Sequence, residues 1–483
     1  MDLSFYSIRV ETLGCRLNQV ESESFASLAI QAGFSIYNHR HDAASALLYS
    51  PIQSKNLTQR HLPASFIQQQ TTPAENVILC FVNTCTVTSK ADQKARRLIR
   101  LLTHKHPYAV ILVTGCYAQL NPAEIETIHP HVIAFPGQRK GELALLPAFL
   151  VQLLNSASHI DSYFFISAIR TYLCSLKNYS EIDEHTAFTL NTPQFLFHSR
   201  AIIKIQDGCN NNCSYCRIKF ARGKAVSLPA KEILRRIQQM ETNGISEVTL
   251  SGVNLSQYIS EEGDFVDLLK LVLDNTRIRI RISSLYPDRI DDALAAVLAH
   301  PQICPHFHLS VQSGSNTILH AMKRTYTRDI IYQAVERVRL AKQDPFIGVD
   351  IITGFPGETD RNFEDTYTLC RELNLTGIHA FPFSPRPGTA AWYMKPKIPE
   401  RIANERVKLL HILAQKQEAA YRARWEGKIV YAIAETPVHG HTIVTTENYI
   451  SLPLKSKEKC NGGESLHVRI CKDHAELVRY IKQ

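Results

Sequence analysis

At 483 residues the chain is too long for one compact core, and its length predicts about three domains. Its 45% hydrophobic content is ordinary for globular proteins, and a net charge of +9 weakly suggests an anionic partner such as nucleic acid. The N-terminus lacks a basic, apolar signal sequence and the longest apolar run is too short to span a bilayer, so we expect a cytoplasmic protein with no membrane partner. In such a chain twelve cysteines favour reduced thiols and metal ligands over disulfides.

The first 150 residues alternate strands with helices and predict an open parallel sheet. Ligand sites gather at the carboxyl ends of the strands in such sheets, so thiolates that follow neighbouring strands could converge at one edge. Three predicted strands are each followed by a cysteine: Ser7–Thr12 before Cys15, Val77–Val82 before Cys85, and Ala109–Val113 before Cys116.

Two further segments belong to this part of the chain. Residues 40–75 are rich in His, Gln, Ser, Thr and Pro and predict an inserted loop, while about 155–200 reads as an interdomain linker with partial local structure. The helix predicted after Cys85 has a basic run, which is either a solvated face or a phosphate-binding face. That run consists of Lys90, Lys94, Arg96, Arg97 and Arg100.

The central region predicts six consecutive β/α units. Repeating units of this kind imply a parallel sheet, and six are fewer than the eight of a closed barrel, so we expect an open, partial barrel. Its functional face should lie at the carboxyl ends of the strands. The predicted strands are Ala201–Gln206, Glu247–Ser251, Arg277–Ser283, His306–Val311, Gly348–Thr353 and Gly377–Phe383.

The C-terminal region changes character. Glu400–Trp425 predicts a charged amphipathic helix, and from Gly427 onward β-branched residues and turn signals predict a small all-β domain.

The most specific motif follows the first central strand. Cys209, Cys213 and Cys216 are spaced C-x3-C-x2-C. A 4Fe-4S cluster usually takes four thiolates, so three leave one iron open for a substrate or cofactor, and S-adenosylmethionine is the cofactor joined to iron–sulfur centres in radical chemistry. A zinc site would need a second cysteine pair, and a ferredoxin-type run would need a different spacing. The motif therefore favours a radical S-adenosylmethionine (SAM) centre.

Small and polar residues follow other central strands on the same predicted face. Small residues let backbone approach a ligand closely, and amides and hydroxyls can bond a ribose or an amino-acid group, although each segment alone could be a simple turn. The candidate SAM contacts are Gly252, Asn254, Gln312, Ser313 and Gly354. After the last strand, Arg386 is either a contact to a phosphate or carboxylate or a surface arginine held by a turn.

The other six cysteines lack any recognisable ligand spacing, so we interpret them as small apolar residues. They are Cys80, Cys174, Cys304, Cys370, Cys460 and Cys471.

Several motifs together resemble the radical SAM methylthiotransferase family. They are Glu11–Glu23 around Cys15, Asn83–Thr88 around Cys85, Thr114–Gln119 around Cys116, the Cys209 loop and Ala221-Arg222-Gly223. The tail from Gly440 to Tyr449 is similar to the RNA-binding TRAM domain. The resemblance implies an α/β N-terminal domain (5–154, with the inserted loop), a linker (155–194), a partial (β/α)6 radical SAM core (195–425) and a TRAM-like β-barrel (427–483).

The resemblance also implies cofactors, partners and a reaction. Two 4Fe-4S clusters are expected, one on Cys209, Cys213 and Cys216 and an auxiliary one on the cysteines at 15, 85 and 116. SAM, a one-electron reductase such as flavodoxin or ferredoxin, and tRNA complete the set; the sulfur donor and any catalytic residue beyond the cluster ligands stay open. The residues around Cys15 and its partners look most like the branch that adds a methylthio group to C2 of N6-threonylcarbamoyladenosine at position 37 of tRNA. The alternatives are the isopentenyladenosine branch and the ribosomal-protein aspartate branch.

Overall fold

The computed structural model describes residues 3–37, 76–156, 162–177, 184–192, 195–196, 199–437, 441–456 and 460–481. The insertion predicted at 40–75 lies outside these residues. The chain divides into two compact units, the first formed by Met1–His198 with Ile218–Val226 and the second by Ser199–Arg217 with Ser227–Gln483. Within the described ranges, no helix combines the length and the apolarity needed to cross a membrane.

The first unit contains the predicted open parallel sheet. Its five strands are arranged in the order β2-β1-β3-β4-β5, and every neighbouring pair is parallel. The strands are β1 (Ser7–Thr12), β2 (Ser35–Tyr37), β3 (Val77–Thr84), β4 (Val110–Gly115) and β5 (Val132–Ala134).

Helices cover both faces of this sheet because successive strand residues point to opposite faces and both sets include apolar side chains. Phe81 of β3 stacks on Phe25 of the helix Arg16–Gln31 in one core. Val82 points the other way and packs with Leu98 of the opposite helix. The helices of this unit are Arg16–Gln31, Ser89–Lys105, Cys116–Leu120, Pro122–Glu126, Leu146–Ser156, Ser162–Lys177 and Ile218–Arg222.

Part of the segment predicted as a linker is helical and belongs to this core. The helix Ser162–Lys177 places Phe165, Ile169 and Leu173 in the same hydrophobic cluster as Phe25. Their spacing of four residues makes an apolar stripe along one helix face, which is typical of a packed helix. The first unit therefore extends beyond the predicted boundary at residue 154.

The second unit contains six parallel strands in sequence order, which confirms the partial (β/α)6 barrel. They form two three-stranded sheets, and backbone hydrogen bonds of Leu285 with His308 and Ser310 (2.9 Å each) join the two. The strands are β6 (Ala201–Lys204), β7 (Glu247–Ser251), β8 (Arg279–Ile282), β9 (His306–Gln312), β10 (Phe346–Thr353) and β11 (Gly377–Pro382). The helices are Ala230–Thr242, Phe265–Asn275, Asp292–Leu298, Asn316–Ala321, Arg328–Ala341, Asp360–Glu372, Ala390–Tyr393 and Glu400–Trp425.

The predicted all-β tail is a closed five-stranded barrel, and its core is apolar. Its strands are β12 (Ile429–Ala434), β13 (Ile443–Thr446), β14 (Ser451–Lys455), β15 (Ser465–Ile470) and β16 (Ala475–Tyr480).

The C-terminal barrel contacts the amino ends of the central strands β7, β8 and β9. Arg281 of β8 and Glu247 of β7, both buried, form a two-bond ion pair at 2.8 and 3.1 Å. Arg281 also donates to the main-chain oxygen of Glu447 in the barrel at 3.1 Å, and the ring of Tyr449 lies 4.0 Å from that of His306. The cysteine loop follows the carboxyl end of β6, so the barrel and the loop lie at opposite ends of the central strands.

Candidate functional site

The loop of Cys209, Cys213 and Cys216 is fixed at its start by a buried glutamine. The Nε2 of Gln206 donates to the main-chain oxygens of Asp207 and Gly208 at 2.8 and 2.9 Å. Its Oε1 accepts from the backbone N–H of Asn254 at 2.8 Å. Gln206 thus ties the cysteine loop to the loop that follows β7. Nothing in the sequence pattern separated this residue from an ordinary strand residue.

The three loop cysteines are partly exposed and lie close together in the sequence. The backbone N–H of Cys216 donates to the oxygen of Cys213 at 3.1 Å, and the Nδ2 of Asn254 lies 3.9 Å from the Sγ of Cys209. Burial raises the pKa of the Cys213 thiol; the Arg324 guanidinium opposes this effect, and the neighbouring Cys209 adds to it. Three adjacent thiols beside a cation are a donor set that suits an iron–sulfur cluster.

Arg324 is held beside this loop by aromatic side chains. Its Nη2 donates to the hydroxyl of Tyr215 at 2.6 Å, and its guanidinium lies 4.9 Å from the ring centre of Tyr286. Its Nε and Nη1 are buried and have no hydrogen-bond partner among the described residues. Arg324 therefore brings a positive charge and two free donors close to Cys213. It lies over a hundred residues from the loop in sequence, so spacing could not reveal it.

The candidate SAM contacts separate into two kinds. Asn254 lies beside Cys209, and Gln312 ends β9 in the left-handed region (φ 68°) with 7% exposure. Ser313 and Gly354 instead form hydrogen bonds with other residues of the protein. The Ser313 hydroxyl lies 3.2 Å from the hydroxyl of Thr366. The backbone N–H of Gly354 donates to the buried carboxylate of Glu358 at 2.6 Å.

Close packing explains why glycine stands at positions 252 and 354, and it shows that Arg386 is buried. A Cβ at Gly252 would lie 2.9 Å from the Oε1 of Gln206, and one at Gly354 would lie 2.4 Å from the Cβ of Ala403. Arg386 is only 4% exposed, so it is not a surface arginine. All five SAM contacts stay predictions, and Asn254 contacts the sulfur of Cys209 at 3.9 Å.

The second cysteine triplet lies at one edge of the N-terminal sheet. Thr12 of β1 is in register with Asn83 of β3, which is in register with Thr114 of β4, so these strands end side by side. Cys15 precedes the helix Arg16–Gln31, Cys85 follows β3, and Cys116 begins the helix Cys116–Leu120. Cys15 is exposed, whereas Cys85 and Cys116 are buried.

Two glycines allow the close approach of these strand ends. Gly14 has φ +121°, and a Cβ there would lie 2.5 Å from the Cβ of Cys85. Gly115 has φ +93°, and a Cβ there would lie 2.3 Å from the main-chain oxygen of Thr84. Glycine is the residue that tolerates both the conformation and the crowding.

The three thiols influence one another electrostatically. Burial raises the pKa of Cys85 to about 12, and Cys116 and Cys15 each add to the rise. Burial also raises the pKa of Cys116, and Arg222 and Lys140 oppose that rise. Two cations thus favour the thiolate form at the triplet, as metal ligation requires.

A buried polar network supports those cations. Glu21, which is 1% exposed, forms ion pairs with Lys140 and with Arg222 (3.5 Å). Arg222 Nη2 also donates to the Oδ1 of Asn18 at 2.6 Å and lies 3.9 Å from the Sγ of Cys15. The motifs around Cys15 and Ala221-Arg222-Gly223 already contained Glu21, Asn18 and Arg222, but no sequence signal pointed to Lys140.

The basic run on the helix Ser89–Lys105 has one member with a defined partner. Arg96 Nη1 donates to the Tyr117 hydroxyl at 2.9 Å and to Glu124 at 2.8 Å. The other four, Lys90, Lys94, Arg97 and Arg100, are exposed. Both interpretations of this face therefore stay open.

Four of the six remaining cysteines are buried, as small apolar residues should be: Cys80, Cys304, Cys370 and Cys460. Cys174 is exposed and Cys471 is partly exposed, so burial does not account for these two.

Comparison with known proteins extends over nearly the whole chain. The Radical SAM superfamily model matches residues 203–370, and that of the uncharacterized protein family UPF0004 matches 54–137. The threonylcarbamoyladenosine tRNA methylthiotransferase MtaB of Treponema pallidum is 45% identical, and the match covers 96% of this chain and 98% of that protein. The tRNA-2-methylthio-N(6)-dimethylallyladenosine synthase of Wolbachia pipientis wMel is 31% identical, covering 73% and 78%. The radical S-adenosylmethionine methyltransferase TsrM of Kitasatospora setae is similar in fold, with a TM-score of 0.51 and 14% identity over 80% of this chain and 76% of that one.

Proposed function

The chain belongs to the threonylcarbamoyladenosine tRNA methylthiotransferase family of radical SAM proteins, and we propose that it adds a methylthio group to C2 of N6-threonylcarbamoyladenosine at position 37 of tRNA. The greater identity to the threonylcarbamoyladenosine enzyme than to the dimethylallyladenosine enzyme supports this branch. Radical SAM proteins use SAM and a 4Fe-4S cluster, and the loop cysteines Cys209, Cys213 and Cys216 would hold that cluster.

One observation carries the proposal: three cysteines follow three neighbouring strands that end at one edge of the sheet. A radical centre alone can remove a hydrogen atom but provides no sulfur. Cys15, Cys85 and Cys116, with Arg222 and Lys140 beside them, offer a second set of thiolates, and an auxiliary 4Fe-4S cluster fits such a donor set. That second centre is the feature that suits thiolation.

The overall reaction replaces the C2–H bond of the adenine with a C2–S bond. A cluster held by Cys209, Cys213 and Cys216 would supply, with SAM, the radical chemistry that removes this hydrogen, and a cluster held by Cys15, Cys85 and Cys116 would supply the sulfur, with a second SAM as the source of its methyl group. The C2 hydrogen is not acidic, which explains why no general base is needed. The chain's own contribution is to hold the thiolates: Gln206 and Asn254 fix the loop around Cys209, and Asn18 with Arg222 fix the segment around Cys15.

The RNA partner is supported by the net charge and by the C-terminal barrel. A base in a tRNA loop is single-stranded and can be turned out of its stack into a pocket. The barrel region 427–483 has eight Lys and Arg against six Asp and Glu, so charge alone would attract RNA only modestly. A one-electron reductase such as flavodoxin or ferredoxin would supply the electrons, and a cytoplasmic location would suit this partner.

The test is nucleoside mass spectrometry. Cluster-loaded protein is incubated anaerobically with SAM, dithionite and tRNA that has threonylcarbamoyladenosine but lacks the methylthio group. We expect the methylthio nucleoside together with 5′-deoxyadenosine, and its loss in cells without the gene. Methylthiolation of isopentenyladenosine, or of a ribosomal-protein aspartate instead of tRNA, would overturn the substrate assignment; absence of 5′-deoxyadenosine would overturn the radical reaction itself.

A further inference from the structure

The turn between β15 and β16 brings together three side chains that no part of the proposed reaction uses. Ile470 is paired with Ala475 in the antiparallel ladder, and the backbone N–H of Cys471 donates to the oxygen of His474 at 2.8 Å. Only Lys472 and Asp473 separate that pair, so the hairpin is tight. Directly opposite residues of a hairpin have their Cβ atoms about 4.5–5.5 Å apart, which places Cys471 beside His474.

A third donor shares the same face of the hairpin. Residues two apart on a strand point the same way, so Glu476 lies on the side of His474. The Cys471 sulfur, a ring nitrogen of His474 and a carboxylate oxygen of Glu476 all lie within 4.8 Å of one another. The Nε2 of His474 is 3.5 Å from the Oε1 of Glu476. In the described part of the chain, no hydrogen bond is made by the Cys471 thiol.

We propose that Cys471, His474 and Glu476 form a binding site for a divalent zinc-type ion. One thiolate, one imidazole and one carboxylate are the donors that Zn²⁺ prefers, whereas Ca²⁺ and Mg²⁺ prefer oxygen alone. Zinc bonds of about 2.0–2.3 Å can be made to three atoms at these separations with small side-chain rotations. The fourth tetrahedral position would be taken by water.

The proposed site shares no residue with either cysteine triplet. Its effect would be on the stability of the C-terminal barrel. Binding at the turn would link the ends of β15 and β16 at a point where the ladder otherwise finishes. Since an ion that binds the folded hairpin better than the unfolded one adds its binding free energy to folding, the effect would be stabilisation of the barrel. The partial exposure of Cys471 and His474 leaves the site open to ions from solution.

The experiment measures Zn²⁺ binding to the full-length, cluster-loaded protein under anaerobic conditions, in competition with a chromophoric chelator. We expect one site that is lost in Cys471→Ser and weakened in His474→Gln by more than the roughly 10- to 100-fold that loss of a supporting residue costs. Cys174→Ser is the matched control, because Cys174 is also exposed but lies in the helix Ser162–Lys177. Its Zn²⁺ affinity should equal that of the unaltered protein.

Two outcomes would overturn the proposal. One is that the unaltered protein and Cys471→Ser bind Zn²⁺ equally, which would mean an adventitious ion only. The other is that the unaltered protein binds none. Iron content and 5′-deoxyadenosine formation should be the same in all three variants, which shows that each is folded and separates a failure here from a failure of the proposed reaction.

Discussion

The two cysteine triplets use opposite ways of assembling three thiols. Cys209, Cys213 and Cys216 lie within one short loop, so their proximity follows from the local chain. Cys15, Cys85 and Cys116 follow three different strands and share one edge of the sheet because β1, β3 and β4 are neighbours in register. The first site therefore depends on a loop and the second on the whole sheet.

The difference extends to the surroundings of the thiols. The loop cysteines are all partly exposed, whereas the second triplet mixes one exposed and two buried cysteines. Each triplet has a nearby cation that is about a hundred or more residues away in sequence, Arg324 for the first and Arg222 for the second. A local site can tolerate change elsewhere in the fold, and a distributed site should fail whenever the strand ends move apart.

The largest effect is expected from Cys213→Ala. Removing one of three ligands should abolish the radical SAM cluster, so 5′-deoxyadenosine and the methylthio nucleoside should both fall to background. The iron content should drop by about half, because the proposed auxiliary cluster would be held by cysteines that follow a separate set of strands. Iron analysis and product chromatography check this. Loss of all iron would contradict the independence of the two sites.

Cys85→Ala should separate SAM cleavage from methylthio transfer. We expect loss of the auxiliary cluster and of methylthio transfer, while SAM is still cleaved to 5′-deoxyadenosine. Cys80→Ala is the matched control, since Cys80 lies on β3, the strand that Cys85 follows, is fully buried and packs in the hydrophobic core. It should cost on the order of 1 kcal/mol of stability and leave both clusters in place. Retention of methylthio transfer by Cys85→Ala would remove Cys85 from the ligand set.

The fold and the first triplet were largely predictable, and the reason is that both depend on local patterns. The bounds of β1, of β7 and of the helix Glu400–Trp425 match the predicted ones residue for residue. The spacing of the loop cysteines needs no tertiary information. The helix Ser162–Lys177 was missed as part of the first core because its apolar stripe lies between segments with no clear pattern.

Contacts between distant segments could not be predicted in the same way. Lys140 reaches Glu21 across more than a hundred residues, and Gln206 bonds Asn254 through a loop whose path the sequence does not give. Ser313 and Gly354 show the opposite case. Small and polar residues after a strand look the same in sequence whether they contact a ligand or form hydrogen bonds within the protein, as these two do. Tertiary structure decides which polar residue faces a ligand and which one faces the fold.

A smaller effect that also separates the two sites is expected from Gly14→Ala. The added Cβ would meet Cys85 at 2.5 Å, and φ of +121° is strained for alanine, so the second cluster should be lost or loosely held. Gly427→Ala is the control, because φ there is +81° with nothing within 4 Å of the added atom. It should cost only about 1–2 kcal/mol of backbone strain. The first cluster should be unaffected by either change, and equal auxiliary-cluster occupancy in both variants would contradict the crowding at Cys85.

The smallest effect concerns the cluster-free protein and tests the exposure difference directly. Brief alkylation at pH 8, read by peptide mass spectrometry, should modify exposed Cys15 readily and Cys85 scarcely at all. Burial raises the pKa of Cys85 to about 12, far above pH 8, so this thiol stays protonated, and burial also excludes the reagent. The three loop cysteines, all partly exposed, should react at more similar rates. If Cys85 reacted as fast as Cys15, the strand ends would have to separate without the cluster, and the second site would then be assembled by its metal rather than by the sheet.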